Sequence, residues 1–281
     1  MASPNAVSAV RIRRLSHRPD AGTVLVVVII VVCLVGPFLW PYPADKIGAG
    51  LPYLAPGWGH PMGTDDLGRD LLARILAGGR ITLGVAGAAT VVSLILGITW
   101  GVVAAARRGW VDEALMRTAD GFMAIPQIVF ALVCVAAFGA TVVSLTIIVG
   151  FLLAPATARI VRSVTLAELT ADYAIAAQAC GLPKWRVLIR EVLPNLLPTV
   201  AVQATINLAS AIILEATLSF IGLGLQPPAA SWGTLLLQGY GKIYNSAWLV
   251  LIPTIWIVAT IWALMSSSDA MRSRARNGGG A

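Results

Sequence analysis

Apolar residues fill long stretches of this chain, and polar residues gather between them. Six stretches approach the ~20 residues that an α-helix needs to cross the hydrocarbon core of a bilayer. They are Ala21–Trp40, Ile81–Ala106, Gly121–Ala140, Thr141–Ala158, Leu196–Leu225 and Trp248–Ser268. A helix satisfies its own backbone polar groups in lipid, so the pattern predicts six transmembrane helices. The third and fourth stretches adjoin, which predicts a tight turn over Phe138–Val142.

Composition agrees with a membrane protein. Of the 281 residues, 58% are hydrophobic and 12% are charged, whereas a soluble chain has about 25% charged residues. So few charges cannot cover a water-exposed surface. The segment after the first stretch lacks a cleavage site of small residues, so we expect that stretch to be retained as a span rather than removed as a signal peptide.

The placement of Lys and Arg predicts which side each connecting segment faces, because cytoplasmic loops carry an excess of them. Odd-numbered segments, counted from the N-terminal tail, hold 15 of the 20 Lys and Arg residues, and even-numbered segments hold 5. We therefore expect both termini to be cytoplasmic. The bias explains the net charge of +7 without a nucleic-acid partner. The cytoplasmic set is Arg11, Arg13, Arg14, Arg18, Arg107, Arg108, Arg117, Arg159, Arg162, Lys184, Arg186, Arg190, Arg272, Arg274 and Arg276; the outer set is Lys46, Arg69, Arg74, Arg80 and Lys242.

The residues disfavour an enzyme. His17 and His60 both lie outside the six stretches, and neither a G-x-S-x-G motif nor paired intramembrane aspartates occur. Cys33, Cys134 and Cys180 have no CxxC or zinc-ligand spacing. We predict no catalytic residue, no metal site and no cofactor in this chain. A self-sufficient secondary transporter is a weaker alternative, because it would typically show inverted repeats, and the sequence shows none.

One polar segment, Asp172–Pro198, is longer than a connection between two spans requires. A helical pattern over Thr165–Cys180 precedes Gly181, which fits the left-handed position that ends a helix. Pro183 fits the first turn of a following helix. The apolar residues of that second helix recur at helical spacing and predict one apolar face: Trp185, Leu188, Ile189, Val192 and Leu193.

Two functions are consistent with this helix–turn–helix. One interpretation is an interfacial helix held on lipid headgroups by its arginines. The other is a docking element for a cytoplasmic partner, since Trp185 between Lys184 and Arg186 has the composition of an interface anchor. The residues by themselves leave both open.

The same segment resembles the cytoplasmic loop of ABC-importer permeases. In this family the loop has the form E-A-A, three residues, Gly, nine residues and I-x-L-P, and here AAQACG is followed by EVLP. Ile175 stands in place of the Glu, and Glu191 in place of the Ile. The matching positions are Ala176, Ala177, Gly181, Leu193 and Pro194.

Three further segments resemble the dipeptide, oligopeptide and nickel branch of these permeases. They read HPMGTDDLGRDLLARILAGGRITL (His60–Leu83), GWVDEALMRTADGFMAIPQIVFAL (Gly109–Leu132) and EATLSFIGLGLQPPAASWGTLL (Glu215–Leu236). Together the segments cover most of the chain from His60 onward. The chain thus resembles the second permease subunit of a dipeptide-type importer.

The resemblance implies an all-α membrane protein with a type I importer core. It implies a bacterial inner-membrane location, a homologous permease partner, two cytoplasmic ATPases that bind ATP and Mg²⁺, and an extracytoplasmic binding protein. Short peptides are the implied solute; nickel or another small solute is the alternative. The loop would dock on an ATPase through Ala176, Ala177, Gly181, Leu182, Pro183, Lys184, Trp185, Arg186, Leu193 and Pro194.

The implied organisation divides the chain into five parts. A cytoplasmic tail (1–20) precedes a peripheral transmembrane helix (21–40) and an extracytoplasmic loop and helix (41–80). A five-helix permease core follows (81–268), with its coupling loop at 163–198. A second cytoplasmic tail (269–281) ends the sequence.

On the outer side, acidic residues cluster with a histidine. Asp65, Asp66, Asp70 and His60 have donor atoms that suit a divalent metal. The favoured interpretation is different: Thr64–Asp66 would cap a helix over Leu67–Ala77, where acids are favourable, and Gly78-Gly79 would end that helix.

Smaller features carry weaker expectations. On a cytoplasmic helix, Arg117 is spaced to pair with Glu113 and with Asp120, and this helix is a candidate brace for the coupling loop. Trp232 and Trp248 are predicted to anchor at the membrane interface. The remaining features are the bends expected at Pro126, Pro155 and Pro253 and a capping or re-entrant loop over Gly222–Gly233.

Glu215 is the one ionisable residue inside the six predicted stretches. With Ala211 and Ser219 it forms a small, polar stripe at helical spacing. Intramembrane acids usually face a cavity or a partner group. One interpretation is a structural hydrogen bond to Ser219 or to a neighbouring backbone. The other is a place on the pathway wall, at the outer gate.

Overall fold

The computed structural model describes residues 20–225 and 229–278, and its regular elements are helical. Residues 1–19 of the predicted N-terminal tail and 279–281 of the predicted C-terminal tail lie outside this part, whereas residues 269–278 of the C-terminal tail continue the last helix. Two π-helical turns occur, Leu188–Val192 after α7 and Ser219–Leu223 after α9. The helices are α1 (Ala21–Leu39), α2 (Leu71–Arg107), α3 (Gly109–Ala124), α4 (Gln127–Phe138), α5 (Val142–Leu169), α6 (Asp172–Ala179), α7 (Lys184–Val187), α8 (Leu193–Asn195), α9 (Leu197–Leu218), α10 (Trp232–Tyr240) and α11 (Trp248–Gly278).

The prediction of six spans in an all-helical membrane protein is confirmed, with one span broken. Helices α1, α2, α5, α9 and α11 are each long and apolar enough to cross a membrane. Helices α3 and α4 meet this test only together, and they bend by 88° between Ala124 and Gln127. Pro126 explains the break, because a proline disfavours helical geometry in the residue before it, and Ile125 is extended. The bend expected at Pro126 is therefore confirmed, and it divides the predicted span Gly121–Ala140 between α3 and α4.

The predicted tight turn between the third and fourth stretches is confirmed. Helix α4 ends at Phe138 and α5 begins at Val142. Gly139 adopts a φ of +79°, which glycine accepts without steric cost. Thr141 and Ser144 then form a reciprocal capping box at the start of α5. The three residues between the helices are enough because both helix ends are satisfied locally.

The expected end of an outer helix at Gly78-Gly79 is wrong, because α2 continues through both residues to Arg107. At 1.5 Å per residue its 37 residues span about 55 Å. The glycines serve close packing instead. A Cβ on Gly79 would lie 2.5 Å from Cys33 Sγ of α1, and one on Gly78 would lie 3.2 Å from the Ala230 carbonyl oxygen.

Helices α2, α5 and α9 pack together along small residues. A Cβ on Gly97 would lie 2.5 Å from Thr157 Cβ, so α2 and α5 approach closely there. Small residues permit such contact between membrane helices. Asn207 of α9 completes the contact by donating to Ser93 Oγ at 2.9 Å and to Thr157 Oγ1 at 2.8 Å. A buried amide thus connects three spans.

Helix α1 lies at the edge of the bundle, against α2 and α11. Thr23 and Ser267 of α11 share a hydrogen bond of 2.8 Å, and Gly22 contacts Ser266. The outward residues Val27 and Leu34 are each 53% exposed. This apolar face suits contact with lipid.

Candidate functional site

The segment between α5 and α9 is a helix–turn–helix, as predicted. The predicted helix over Thr165–Cys180 is divided, because α5 ends at Leu169 and α6 covers Asp172–Ala179. Helix α6 then closes in a Schellman motif: Leu182 N donates to Ala177 O at 3.2 Å and Gly181 N to Gln178 O at 3.0 Å. Gly181 has the left-handed φ of +88° that this motif requires.

The tip of the turn presents an aromatic ring beside basic groups. Pro183 occupies the N-cap of α7, one position before the predicted first turn. Trp185 is 60% exposed, and the Arg186 guanidinium lies 5.3 Å from its ring centroid. We call Gly181–Arg186 the tip. Its fixed turn holds an apolar ring in solvent, which is the arrangement of an interface anchor.

The apolar face of the second helix differs from the prediction. Val187 and Val192 are fully buried, whereas Trp185 and Ile189 of the predicted face are exposed. The cause is the π-helical turn, in which Leu193 N donates to the carbonyl oxygen five residues earlier. That wider turn brings residues five apart onto one side. Three residues of the predicted face, Leu188, Val192 and Leu193, do pack in the apolar cluster around Val187. We call this cluster the core of the loop.

The alanines of α6 divide between two sides. Ala174 is fully buried against the core of the loop, and Ala177 is partly buried. Ala176 and Ile175 face outward. Pro194 begins the exposed side of α8. The residues that match the loop motif of the permease family therefore lie partly in the support of the tip and partly on the surface around it.

Helix α3 is paired with α5, the span that leads into the loop. Arg162 of α5 makes a bidentate pair with Asp112 of α3, at 2.5 and 2.6 Å. The predicted Glu113–Arg117 pair is confirmed at 3.1 Å. The predicted pair of Arg117 with Asp120 is wrong.

Asp120 pairs instead with Arg159 of α5. Helix α3 therefore holds the stretch of α5 that leads into α6. The brace interpretation of α3 stays a prediction.

The acidic residues of the predicted outer cluster are paired with protein groups. Asp70, not Thr64–Asp66, is the N-cap of α2: its Oδ1 accepts from Ala73 N at 2.8 Å, and its Oδ2 contacts His60 Nδ1 at 2.6 Å. Trp40 Nε1 also donates to Asp70 Oδ1, at 3.0 Å. Among the described residues, no group of three or more His, Cys, Asp or Glu side chains is arranged to hold a metal ion.

Asp65 lies between two arginines. Its Oδ2 accepts from Arg69 Nε at 2.6 Å and from Arg74 Nη1 at 2.5 Å. Burial alone would raise the pKa of the Asp65 carboxyl. Hydrogen bonds from the Arg69 backbone and from the Arg74 and Arg69 side chains outweigh burial, so the pKa lies below its usual value.

The stripe of Ala211, Glu215 and Ser219 is fully buried. Ser219 Oγ donates to Glu215 Oε1 at 2.7 Å, which is the bond that the structural interpretation requires. The pathway role of the stripe stays a prediction. Helix α2 starts at Leu71, so Arg74 and Arg80 also lie within a candidate span. Glu215 is therefore not the only ionisable residue in the candidate spans.

Trp232 is not an interface anchor. Its side chain is fully buried, and Nε1 donates to the Ile75 carbonyl oxygen at 2.9 Å. Trp248 is 44% exposed. Residues 226–228 of the predicted Gly222–Gly233 loop lie outside the described part. The sequence reasoning also missed Ser231, whose Oγ caps α10.

Known proteins similar to this chain are membrane transport components. Residues 97–277 match the family described as "Binding-protein-dependent transport system inner membrane component". A putative peptide transport system permease protein of Brucella suis is 36% identical over 271 residues, which are 96% of this chain and 90% of that protein. A di/tripeptide transport system permease protein of Pseudomonas aeruginosa is 33% identical over 265 residues, which are 92% of this chain and 88% of that protein.

The fold is also found among solved structures. A chain of the MetNI methionine ABC transporter, in an inward-facing conformation, matches with a TM-score of 0.60. The match covers 71% of this chain and 95% of that chain at 18% identity. At this identity the likeness concerns the fold alone.

Proposed function

The chain belongs to the family of binding-protein-dependent transport system inner membrane components, and on that premise we propose that it forms half of the translocation pathway of a peptide importer driven by ATP. Relatives with a third of their residues identical over nine-tenths of this chain are named peptide or di/tripeptide permeases. Short peptides are the solute that this similarity favours.

The observation that carries the coupling role is the geometry of the tip. Gly181 reverses the chain, and Trp185 stands in solvent while Val187 and Val192 fix the base of the turn in the core of the loop. An exposed aromatic on a rigid turn fills a pocket of a partner at low entropic cost. The partner proposed here is a cytoplasmic ATPase, which binds ATP and Mg²⁺ in place of this chain.

A displacement of the tip would be transmitted to the membrane-spanning helices through α5. Helix α5 runs without a break from Val142 to Leu169, just before α6. Asp112 and Asp120 of α3 bind Arg162 and Arg159 of α5. A displaced tip would therefore move α5 and α3 together. Closure of two ATPases would then change the pathway between this chain and a homologous permease.

The test is an ATPase assay of the complex purified through this chain and reconstituted in vesicles. We expect co-purified ATPase subunits whose hydrolysis rises when the binding protein and a peptide are added. Amino acids, nickel and sugars serve as solute controls. Transport by this chain alone, without an ATPase, would overturn the proposal, and stimulation by nickel alone would overturn the peptide assignment.

A further inference from the structure

A hydrogen-bond chain runs into Glu215 at the outer end of α9. Ser231 Oγ donates to Ser219 Oγ at 3.3 Å, and Ser219 Oγ donates to Glu215 Oε1 at 2.7 Å. Each hydroxyl has a single proton, so both protons are already used. Glu215, Ser219 and Ser231 are all fully buried.

The second oxygen of the carboxyl has no donor. Oε2 of Glu215 is buried and has no hydrogen-bond partner. The side chains that face the carboxyl belong to Ser219, Ser231 and Thr82, and none of these carries a positive charge. Thr82 Oγ1 accepts from Trp232 N at 3.1 Å, which does not use the Thr82 proton, but no hydrogen bond joins this hydroxyl to Oε2.

An ionised carboxylate does not suit these surroundings. A buried charge needs an opposite charge or several hydrogen bonds, and here a single hydrogen bond reaches the two carboxyl oxygens. A proton on Oε2 removes the charge and changes an acceptor without a donor into a donor. The hydroxyl oxygens of Ser231 and Thr82 retain lone pairs that can receive it.

We propose that Glu215 holds a proton as a neutral acid, and that this proton-binding site ties the outer ends of three elements together. The acid joins α9 to the segment before α10 through Ser219 and Ser231, and it faces α2 at Thr82. The contacts around it are close: a Cβ on Gly233 would lie 2.6 Å from the Ala216 carbonyl oxygen. Glu215 is then a positioning residue, and the site binds a proton whichever solute crosses the membrane.

The test is infrared difference spectroscopy of the purified complex in heavy water, at mildly alkaline pH. We expect Glu215→Gln to remove absorption from the carbonyl-stretching region of protonated carboxylic acids. The matched control is Glu113→Gln, because Glu113 is 67% exposed on α3 and should lose ionised-carboxylate absorption instead. Loss of ionised-carboxylate absorption in Glu215→Gln, as expected for a bound metal cation, would overturn the proposal.

Stability provides the second readout. Glutamine reproduces the shape and the donor of the neutral acid, so Glu215→Gln should melt at the wild-type temperature while Glu215→Ala melts lower. If Glu215→Gln cannot be purified, Glu215→Asp replaces it in the spectra. A shifted protonated-acid band then supports the neutral acid, and an unshifted spectrum in that region contradicts it.

Discussion

Arg80 of α2 donates from Nε to the carbonyl oxygen of Cys33 in α1, at 3.1 Å. This is the carbonyl that Pro37, four residues later, leaves without a helical donor. The same guanidinium donates to the Leu34 carbonyl and lies 4.2 Å from the centroid of the Phe38 ring. A charged group of one span thus satisfies a backbone group that a proline frees in its neighbour, and it attaches the peripheral helix to the core.

We expect Arg80→Ala to lower the stability of the chain by roughly 1–3 kcal/mol, the cost of leaving a buried carbonyl without a donor. The matched background is Pro37→Ala, which restores an N–H that can bond the Cys33 carbonyl. Thermal unfolding in mild detergent should show a smaller loss for Arg80→Ala in that background. An equal loss in both backgrounds would show that the carbonyl is not what Arg80 stabilises.

At the tip, Trp185→Ala should reduce co-purification of the ATPase while the protein still reaches the membrane. Gly181→Asp should do the same, because a side chain at a φ of +88° strains the turn. Trp110→Ala is the control, since Trp110 is 79% exposed on α3 and outside the tip. Normal ATPase recovery with both tip variants would refute docking through this turn.

The π-helical turn implies that Val187, and not Ile189, stabilises the loop. Val187→Ala removes two buried methyl groups and should destabilise the loop by about 1–2 kcal/mol. Ile189→Ala, at a position 53% exposed, should change stability by less than about 0.5 kcal/mol. Protease digestion of the loop in detergent measures both. The opposite order would mean that the helix follows its regular spacing.

Asp65 predicts a dependence of stability on pH. Because its folded pKa is lowered, its contribution is full above the unfolded value of about 3.9 and is lost as the pH falls through the folded value. Asp65→Asn should therefore melt well below wild type at pH 7, and the gap should narrow below about pH 4. Asp66→Asn is the control, because Asp66 lies 3.8 Å from Arg69 and is 35% exposed. A gap that stays constant with pH would contradict this role.

Orientation can be measured with single cysteines in a background lacking Cys33, Cys134 and Cys180. Trp58→Cys is a better outer probe than a cysteine at Gly50, where a Cβ would lie 2.6 Å from His60 Nε2. An impermeant thiol reagent added outside should label Trp58→Cys and spare Lys184→Cys. The reverse labelling would invert the topology and exclude cytoplasmic docking of the tip.

Local chemistry in the sequence determined the spans, the tight turn at Gly139 and the turn at Gly181. Each depends on residues close together in the chain: an apolar run of sufficient length, or a glycine with positive φ beside a helix end. The pairing of Glu113 with Arg117 and of Glu215 with Ser219 follows in the same way, since both pairs are one helical turn apart.

Tertiary structure decided what depends on neighbours distant in sequence. Gly78-Gly79 looks like a helix end, but α1 and the Ala230–Trp232 segment pack where side chains would be, and α2 continues. Trp232 looks like an interface anchor, but the Ile75 carbonyl receives its N–H in the interior. Asp120 pairs with Arg159 of the neighbouring helix and not with Arg117 of its own helix. The π-helical turn places Val187 on the buried side of the loop together with Val192. The spacing of apolar and charged residues describes one helix at a time. Which side chains are buried, where a helix ends and which charges pair are decided by close packing between helices.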